Sequence, residues 1–210
     1  MRDRRSPLSV EALDALAWDK MGGMMPGVVQ DAQSGRVLML GYLNREALEA
    51  TLTSGFATFW SRSKARLWMK GESSGNRLRV RAVHEDCDGD ALLLLALPEG
   101  PTCHEGTASC FGGSADGPGL LAELSRTIAA RAVSGEAESY TARLIGEGRG
   151  RIAQKVGEEG LEVALAAVSQ GPEAVSQEGA DLLYHLAVLL HDQGLDWGDV
   201  IAVLKARGLG

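Results

Sequence analysis

The sequence predicts an α+β chain in two parts: a mostly antiparallel β domain with a few helices over residues 1–112, then an all-helical domain over residues 120–210. Three observations carry this. Up to about residue 112, short apolar runs alternate with turn residues. Residues 112–119, GGSADGPG, hold four glycines, one proline and no large apolar residue. Beyond them, apolar residues recur at helical spacing. Residues 113–119 therefore read as a linker. A length of 210 residues suits one large domain or two small ones.

In the first half, residues 28–31 and 36–40 flank Gln33-Ser34-Gly35 and read as a hairpin. Asn44 can cap a helix over residues 45–53, with Gly55 ending it. Residues 57–60 and 66–70 suit strands, and residues 78–83 alternate polar with apolar. Residues 91–97 form a continuous apolar run of strand length, closed by Pro98. In the second half, Leu120, Leu121, Leu124 and Ile128 mark a helix over 120–132. Further helices fit 139–146, 151–169, 172–193 and 196–207, with Gly171-Pro172 and Gly194 at the breaks.

Apolar residues make up 45% and charged residues 23%, as in a globular protein. With a net charge of −7, no general field attracts nucleic acid or anionic lipid. Any bound phosphate must meet local cations or a metal ion. No run approaches the roughly 18 apolar residues of a membrane span. The N-terminus has basic residues but no apolar stretch, so no signal peptide is expected and the cytoplasm is the expected location. Three cysteines, all between Cys87 and Cys110, suggest metal binding over a disulfide framework.

The densest chemistry in the first half is Asp86-Cys87-Asp88-Gly89-Asp90, followed by Cys103-His104 and Cys110. If residues 86–90 are extended, the three aspartates face one side and Cys87 the other. Thiolate prefers zinc and carboxylate prefers magnesium or calcium. Three Cys ligands leave a fourth zinc position open for a water whose pKa falls to about 7. His104 is a candidate ligand or proton-transfer group. The bland alternative is three buried thiols beside a solvated turn. A second cluster joins Arg62, Lys70, Ser74 and Asn76 in WSRS and WMKGESSGN; cations, hydroxyls and open backbone N–H groups suit a phosphate. An ordinary polar turn between strands would read similarly.

These motifs, in this order over roughly residues 20–112, resemble the phosphoribosyl-AMP cyclohydrolase family: PGVVQD, FWSRS, LWMKGESSGN, DCDGD and CHEGTASCF. The resemblance implies a homodimer with zinc at the subunit interface, Cys87 from one subunit and Cys103 and Cys110 from the other. It also implies magnesium on Asp86, Asp88 and Asp90, and opening of the N1–C6 bond of phosphoribosyl-AMP. By position, His104 is the candidate to move the proton, and Arg62, Lys70, Ser74 and Asn76 are the candidates to contact the phosphoribosyl group.

In the second half the signal is Glu158-Glu159-x-x-Glu162 followed by Glu178-x-x-Asp181. On helices each set shares a face, and an antiparallel pair would gather four or five carboxylates. Such crowding asks for a cation, and magnesium uses carboxylates and substrate phosphates together. Lys155, one turn before Glu159, could balance charge or touch a phosphate. Two solvated acidic faces are the alternative, but apolar residues around both stripes make both helices look largely buried. The pattern, with KVGEE and ADLLYHL, resembles the phosphoribosyl-ATP pyrophosphohydrolase family over about residues 120–208. That implies magnesium held by Glu158, Glu159, Glu162, Glu178 and Asp181; Glu159 is the catalytic candidate, with the choice of general base among these carboxylates left open. Phosphoribosyl-ATP would be cut to phosphoribosyl-AMP and pyrophosphate, the step before the first half's own. The resemblances imply no nucleic-acid or membrane partner.

Overall fold

The computed structural model describes residues 6–112, 117–134 and 139–208. Of the expected linker, residues 113–116 lie outside the described residues, and residues 117–119 form a bend and turn ahead of the first helix of the second half. The chain divides into two compact units, Met1–Ala115 and Asp116–Gly210.

In the first unit, β1 (Met25–Asp31) buries every second residue, so one face packs inward. A tight turn sends the chain back as β2 (Val37–Leu43). The Asp31 carboxylate builds that turn, accepting from the Gln33 N–H at 3.1 Å and the Ser34 hydroxyl at 2.7 Å. Strand β6 (Leu92–Pro98) lies on the other side of β1 and is parallel to it, from Gly27↔Leu92 to Asp31↔Ala96. Pro26, which has no N–H, sits just before this pairing begins. Strand β5 (Leu78–Glu85) closes the sheet antiparallel to β6, giving the order β2-β1-β6-β5. The apolar run of β6 thus belongs to an interior strand.

Helix α1 (Arg45–Ser54) starts where the Asn44 side chain accepts the Ala47 N–H at 2.9 Å. A second hairpin, β3 (Thr58–Ser61) with β4 (Arg66–Met69), packs its Phe59 ring against β2. A Cβ at Gly41 would lie 2.4 Å from that ring, so only glycine admits the approach. Two 3₁₀ turns, Val10–Ala15 and Trp18–Met21, carry Leu13 into the same core, where it is fully buried.

The second unit is α2 (Leu120–Ser134), α3 (Tyr140–Gly146), α4 (Arg149–Ser169), α5 (Pro172–Asp192) and α6 (Trp197–Ala206). Only Gln170-Gly171 separates α4 from α5, which makes them an antiparallel pair. Pro172 opens α5 at a position whose N–H has no helical partner anyway. Ile128, Leu144, Ile152, Ala187 and Val188 form a small buried core. The expectation that α4 is largely buried does not hold within one chain. Leu161 is 61% exposed and Val168 83% exposed, because α4 meets α5 along one face and leaves the other uncovered. Among the described residues, no helix is long and apolar enough to cross a membrane.

Candidate functional sites

Strand β4 ends at Met69, and the chain turns through Gly71 and Gly75 before β5. Gly71 has φ +83°, and a Cβ there would stand 2.4 Å from the Asn76 carbonyl oxygen. That close return lets the buried Lys70 donate from Nζ to the Asn76 carbonyl at 3.3 Å. A second loop, after β6, folds against it. Cys103 heads a tight turn, its N–H donating to Thr107 and its carbonyl accepting from Gly106. Ser109 and Cys110 tie the loop to β2: Ser109 Oγ donates to the Val37 carbonyl at 2.8 Å and the Cys110 N–H to the Leu38 carbonyl at 2.8 Å.

The two loops enclose a pocket of about 440 Å³ lined by Lys70, Ser74, Asn76, Cys103, His104 and Cys110, among others. That volume suits a small-molecule ligand. His104 Nδ1 lies 3.7 Å from Cys103 Sγ. Burial pushes the Cys110 thiol above its usual range, and Cys103 beside it pushes the same way. Two neighbouring thiols at one pocket wall are a donor pair for a soft cation.

The DCDGD segment is not extended. Asp86 Oδ1 accepts from the Asp90 N–H at 3.0 Å and the Ala91 N–H at 3.2 Å, and Gly89 has φ +73°. The carboxylate at the head of the segment therefore wraps it into a turn, which removes the one-side, other-side division. Ligand atoms of Asp86, Cys87 and Asp88 lie within 4.8 Å of one another; Asp90 is not in that group. Lys20, from the second 3₁₀ turn, bridges Asp88 at 2.5 Å and Asp90 at 3.0 Å. Its ammonium holds the Asp88 carboxyl below the usual range. Cys87 is exposed and is not among the residues lining the Cys103–Cys110 pocket. Arg62 is also outside that lining, its guanidinium 4.1 Å from the Tyr42 ring centroid. Sequence reasoning missed Lys20 and Thr102. Lys20 lies some 70 positions from its partners, and Thr102, buried in the pocket wall, belongs to no charged motif.

On the helical unit, Glu159 of α4 and Glu178 and Asp181 of α5 bring carboxylate oxygens within 4.8 Å of one another. Glu159 is buried, at 4% exposure. Lys155 Nζ compensates it at 2.7 Å and also reaches Glu158 at 3.1 Å. This ammonium holds the Glu158 carboxyl low, and Gln154 donates to the same group at 2.7 Å. Glu162 is pushed up by burial, then by the charges of Glu159 and Glu178. The crowding expected of an EExxE stripe facing an ExxD stripe is therefore present. Glu158 and Glu162 flank the three-carboxylate group rather than join it. His185, one turn after Asp181, lies against the same cluster, with Nδ1 3.5 Å from Glu159 Oε1.

Two family models match the chain: phosphoribosyl-AMP cyclohydrolase over residues 39–112, and phosphoribosyl-ATP pyrophosphohydrolase over residues 121–208. The chain is 52% identical over 200 residues to the histidine biosynthesis bifunctional protein HisIE of Photorhabdus laumondii, covering 95% of this chain and all of that one. The chain belongs to the HisIE family. It is 55% identical to the HisIE of Escherichia coli K12 over 91% of this chain and 95% of that one. With the HisIE of Xanthomonas campestris it shares 55% identity, over 94% of this chain and 95% of that one. As a HisIE-family chain it is a bifunctional hydrolase of histidine biosynthesis, with a cyclohydrolase domain ahead of a pyrophosphohydrolase domain.

Proposed function

We propose that the two sites act in succession, the helical site on phosphoribosyl-ATP and the β site on its product. The observation that carries this reading is a pair of metal-competent donor sets, one in each unit: two thiols in a pocket of about 440 Å³, and three converging carboxylates. Domain limits near residues 112 and 120 follow the glycine-rich stretch between the two family matches.

In the helical unit, water attacks the α-phosphorus of phosphoribosyl-ATP, the bond to the bridging oxygen breaks, and pyrophosphate leaves. Glu159, Glu178 and Asp181 fit a hard cation, and Glu158 and Glu162 complete the proposed set. Magnesium bound there would neutralise the phosphates. Glu159, buried and oriented by Lys155, is placed to hold the attacking water and take its proton. Lys155, paired with Glu159 at 2.7 Å and Glu158 at 3.1 Å, would be available to a substrate phosphate with a cation on the carboxylates.

In the β unit, water adds to C6 of phosphoribosyl-AMP and the N1–C6 bond opens. Cys103 and Cys110 offer two of three thiolates, and the exposed Cys87 of a second copy offers the third; zinc held by them would supply hydroxide at neutral pH. His104, beside Cys103 at the pocket wall, moves a proton between water and N1. Lys70, Ser74 and Asn76 receive the phosphoribosyl group; Arg62, outside the lining, has the weaker case. Asp86, Asp88 and Asp90 are the proposed magnesium ligands of this unit, the cation taking over from Lys20. A homodimer belongs to this reading, supported by the exposed Cys87 lying outside the lining of the Cys103–Cys110 pocket and by the uncovered apolar face of α4, and the cytoplasm is the proposed compartment.

The test is product analysis of the full chain with phosphoribosyl-ATP, magnesium and trace zinc, followed by mass spectrometry. Pyrophosphate with the ring-opened product supports both assignments. Accumulating phosphoribosyl-AMP would sink the β-site assignment, and no pyrophosphate the helical one.

A further inference from the structure

His185 is a buried titratable side chain outside the proposed ligand set. It is 5% exposed and lies on α5 one turn beyond Asp181. Its Nδ1 is 2.9 Å from the Asp181 carbonyl oxygen. A carbonyl only accepts, so Nδ1 carries the proton. The same Nδ1 is 3.5 Å from Glu159 Oε1 on α4. On the opposite edge, Nε2 is 3.0 Å from the Tyr140 hydroxyl of α3, which donates to it in the neutral ring. The Tyr184 ring closes one side edge-on, 5.1 Å between centroids, and its hydroxyl is fixed by Thr141 at 2.8 Å. One imidazole edge thus hydrogen-bonds the backbone of a carboxylate residue of the α5 stripe and packs 3.5 Å from a carboxylate of the α4 stripe, a contact that in the neutral ring is not a second full hydrogen bond.

We propose that His185 is a positioning residue for the carboxylate site. It fixes the Glu159 carboxylate of α4 against the Asp181 turn of α5, with Tyr140 locking the ring. The inference rests on reading Glu159, Glu178 and Asp181 as the cation site. Groups that orient metal ligands typically change metal affinity or activity about 10- to 100-fold when lost. A core histidine with no such role changes stability alone.

The experiment uses the full chain and Mn²⁺ as probe, with free ion followed by electron paramagnetic resonance. Pyrophosphate release is measured in parallel as a function of magnesium. Glu159→Gln defines the share of Mn²⁺ binding that belongs to this site. His185→Phe, which keeps a ring but no nitrogen, should weaken that share about 10- to 100-fold. It should raise the magnesium needed for half-maximal release by a similar factor, while kcat at saturating magnesium changes far less. His185→Asn, which restores a donor near the Nδ1 position, should recover most of the affinity, and Tyr140→Phe should give a smaller loss. Ring opening of supplied phosphoribosyl-AMP and far-UV circular dichroism report on the fold. Mn²⁺ affinity unchanged in His185→Phe overturns the proposal, as does equal loss in His185→Asn and His185→Phe with the fold intact. If His185→Phe does not fold, His185→Asn against His185→Gln decides: the proposal requires Asn to bind the tighter. Should Glu159→Gln bind Mn²⁺ like the parent chain, the site reading itself fails, and that outcome is distinct from the others.

Discussion

Glu159 shows how burial and charge set a residue's use. A buried carboxylate is costly unless paired, and Lys155 supplies the pair at 2.7 Å. Replacing Glu159 by Gln keeps the shape and removes the charge. Pyrophosphate release is expected to fall by about 10²-fold or more, with ring opening of supplied phosphoribosyl-AMP intact. Coupled assays on the two substrates separate these outcomes, and retained release would contradict the assignment. At the other site, Cys103→Ser removes the buried thiol at the pocket wall. Bound zinc, measured by elemental analysis, and ring opening should be lost together. Activity in zinc-free protein would count against the thiol assignment. These residues were legible in sequence because thiols and clustered carboxylates are rare, chemically specific groups. The turn at residues 86–90 was not, because it depends on one carboxylate bonding two backbone N–H groups four and five positions on. Nor was Lys20, whose partners are brought close only by the folded chain.

At the scale of elements, α4 and α5 must keep their carboxylate stripes opposed. Arg149 near the start of α4 holds Asp192 at the end of α5 at 2.7 Å, which fixes the register of the pair. This guanidinium lowers the Asp192 carboxyl below its ordinary value. A depressed carboxyl stabilises the fold above its unfolded pKa, near 3.9, and the gain is lost as pH falls through the lower folded value. Asp192→Asn should therefore melt below the parent at pH 7, and the gap should close below about pH 4; a gap that persists in strong acid would reject the ion pair as the cause. In the β unit, Gly71→Ala faces both a left-handed φ and the Asn76 carbonyl. A cost of about 1–3 kcal/mol is expected, with a raised KM for phosphoribosyl-AMP, checked by denaturant unfolding and initial rates. The helices and hairpins could be read from caps, periodicity and turn residues, which act within a few positions. The parallel pairing of β1 with β6 could not, since nothing local in either strand names its partner.

At the scale of the molecule, each unit carries its own core, but the helical core is small and the Leu161–Leu165–Val168 face of α4 is exposed. Exposed apolar area of this kind marks an association surface. If the proposed homodimer uses this face, Leu165→Glu should lower the mass in light scattering towards that of a monomer and lower the melting temperature of the helical unit. An unchanged mass would reject this face as an association surface. Apolar residues around the acidic stripe of α4 read as burial in the sequence. One chain provides cover for only one of its faces.

The parallel pairing of β1 with β6 also has a consequence for synthesis. β1 occupies an interior position of the sheet, yet its partner begins only at Leu92, so all of β2, α1, the second hairpin and β5 must be translated first. Until then a nascent chain presents one open edge of β1, a template for pairing with other chains. Long-range closure of this kind is slow. The Lys70–Asn76 loop and the Cys103–Cys110 loop can meet only after that closure, so the β unit gains its pocket late, while the ribosome is already making the helices that follow.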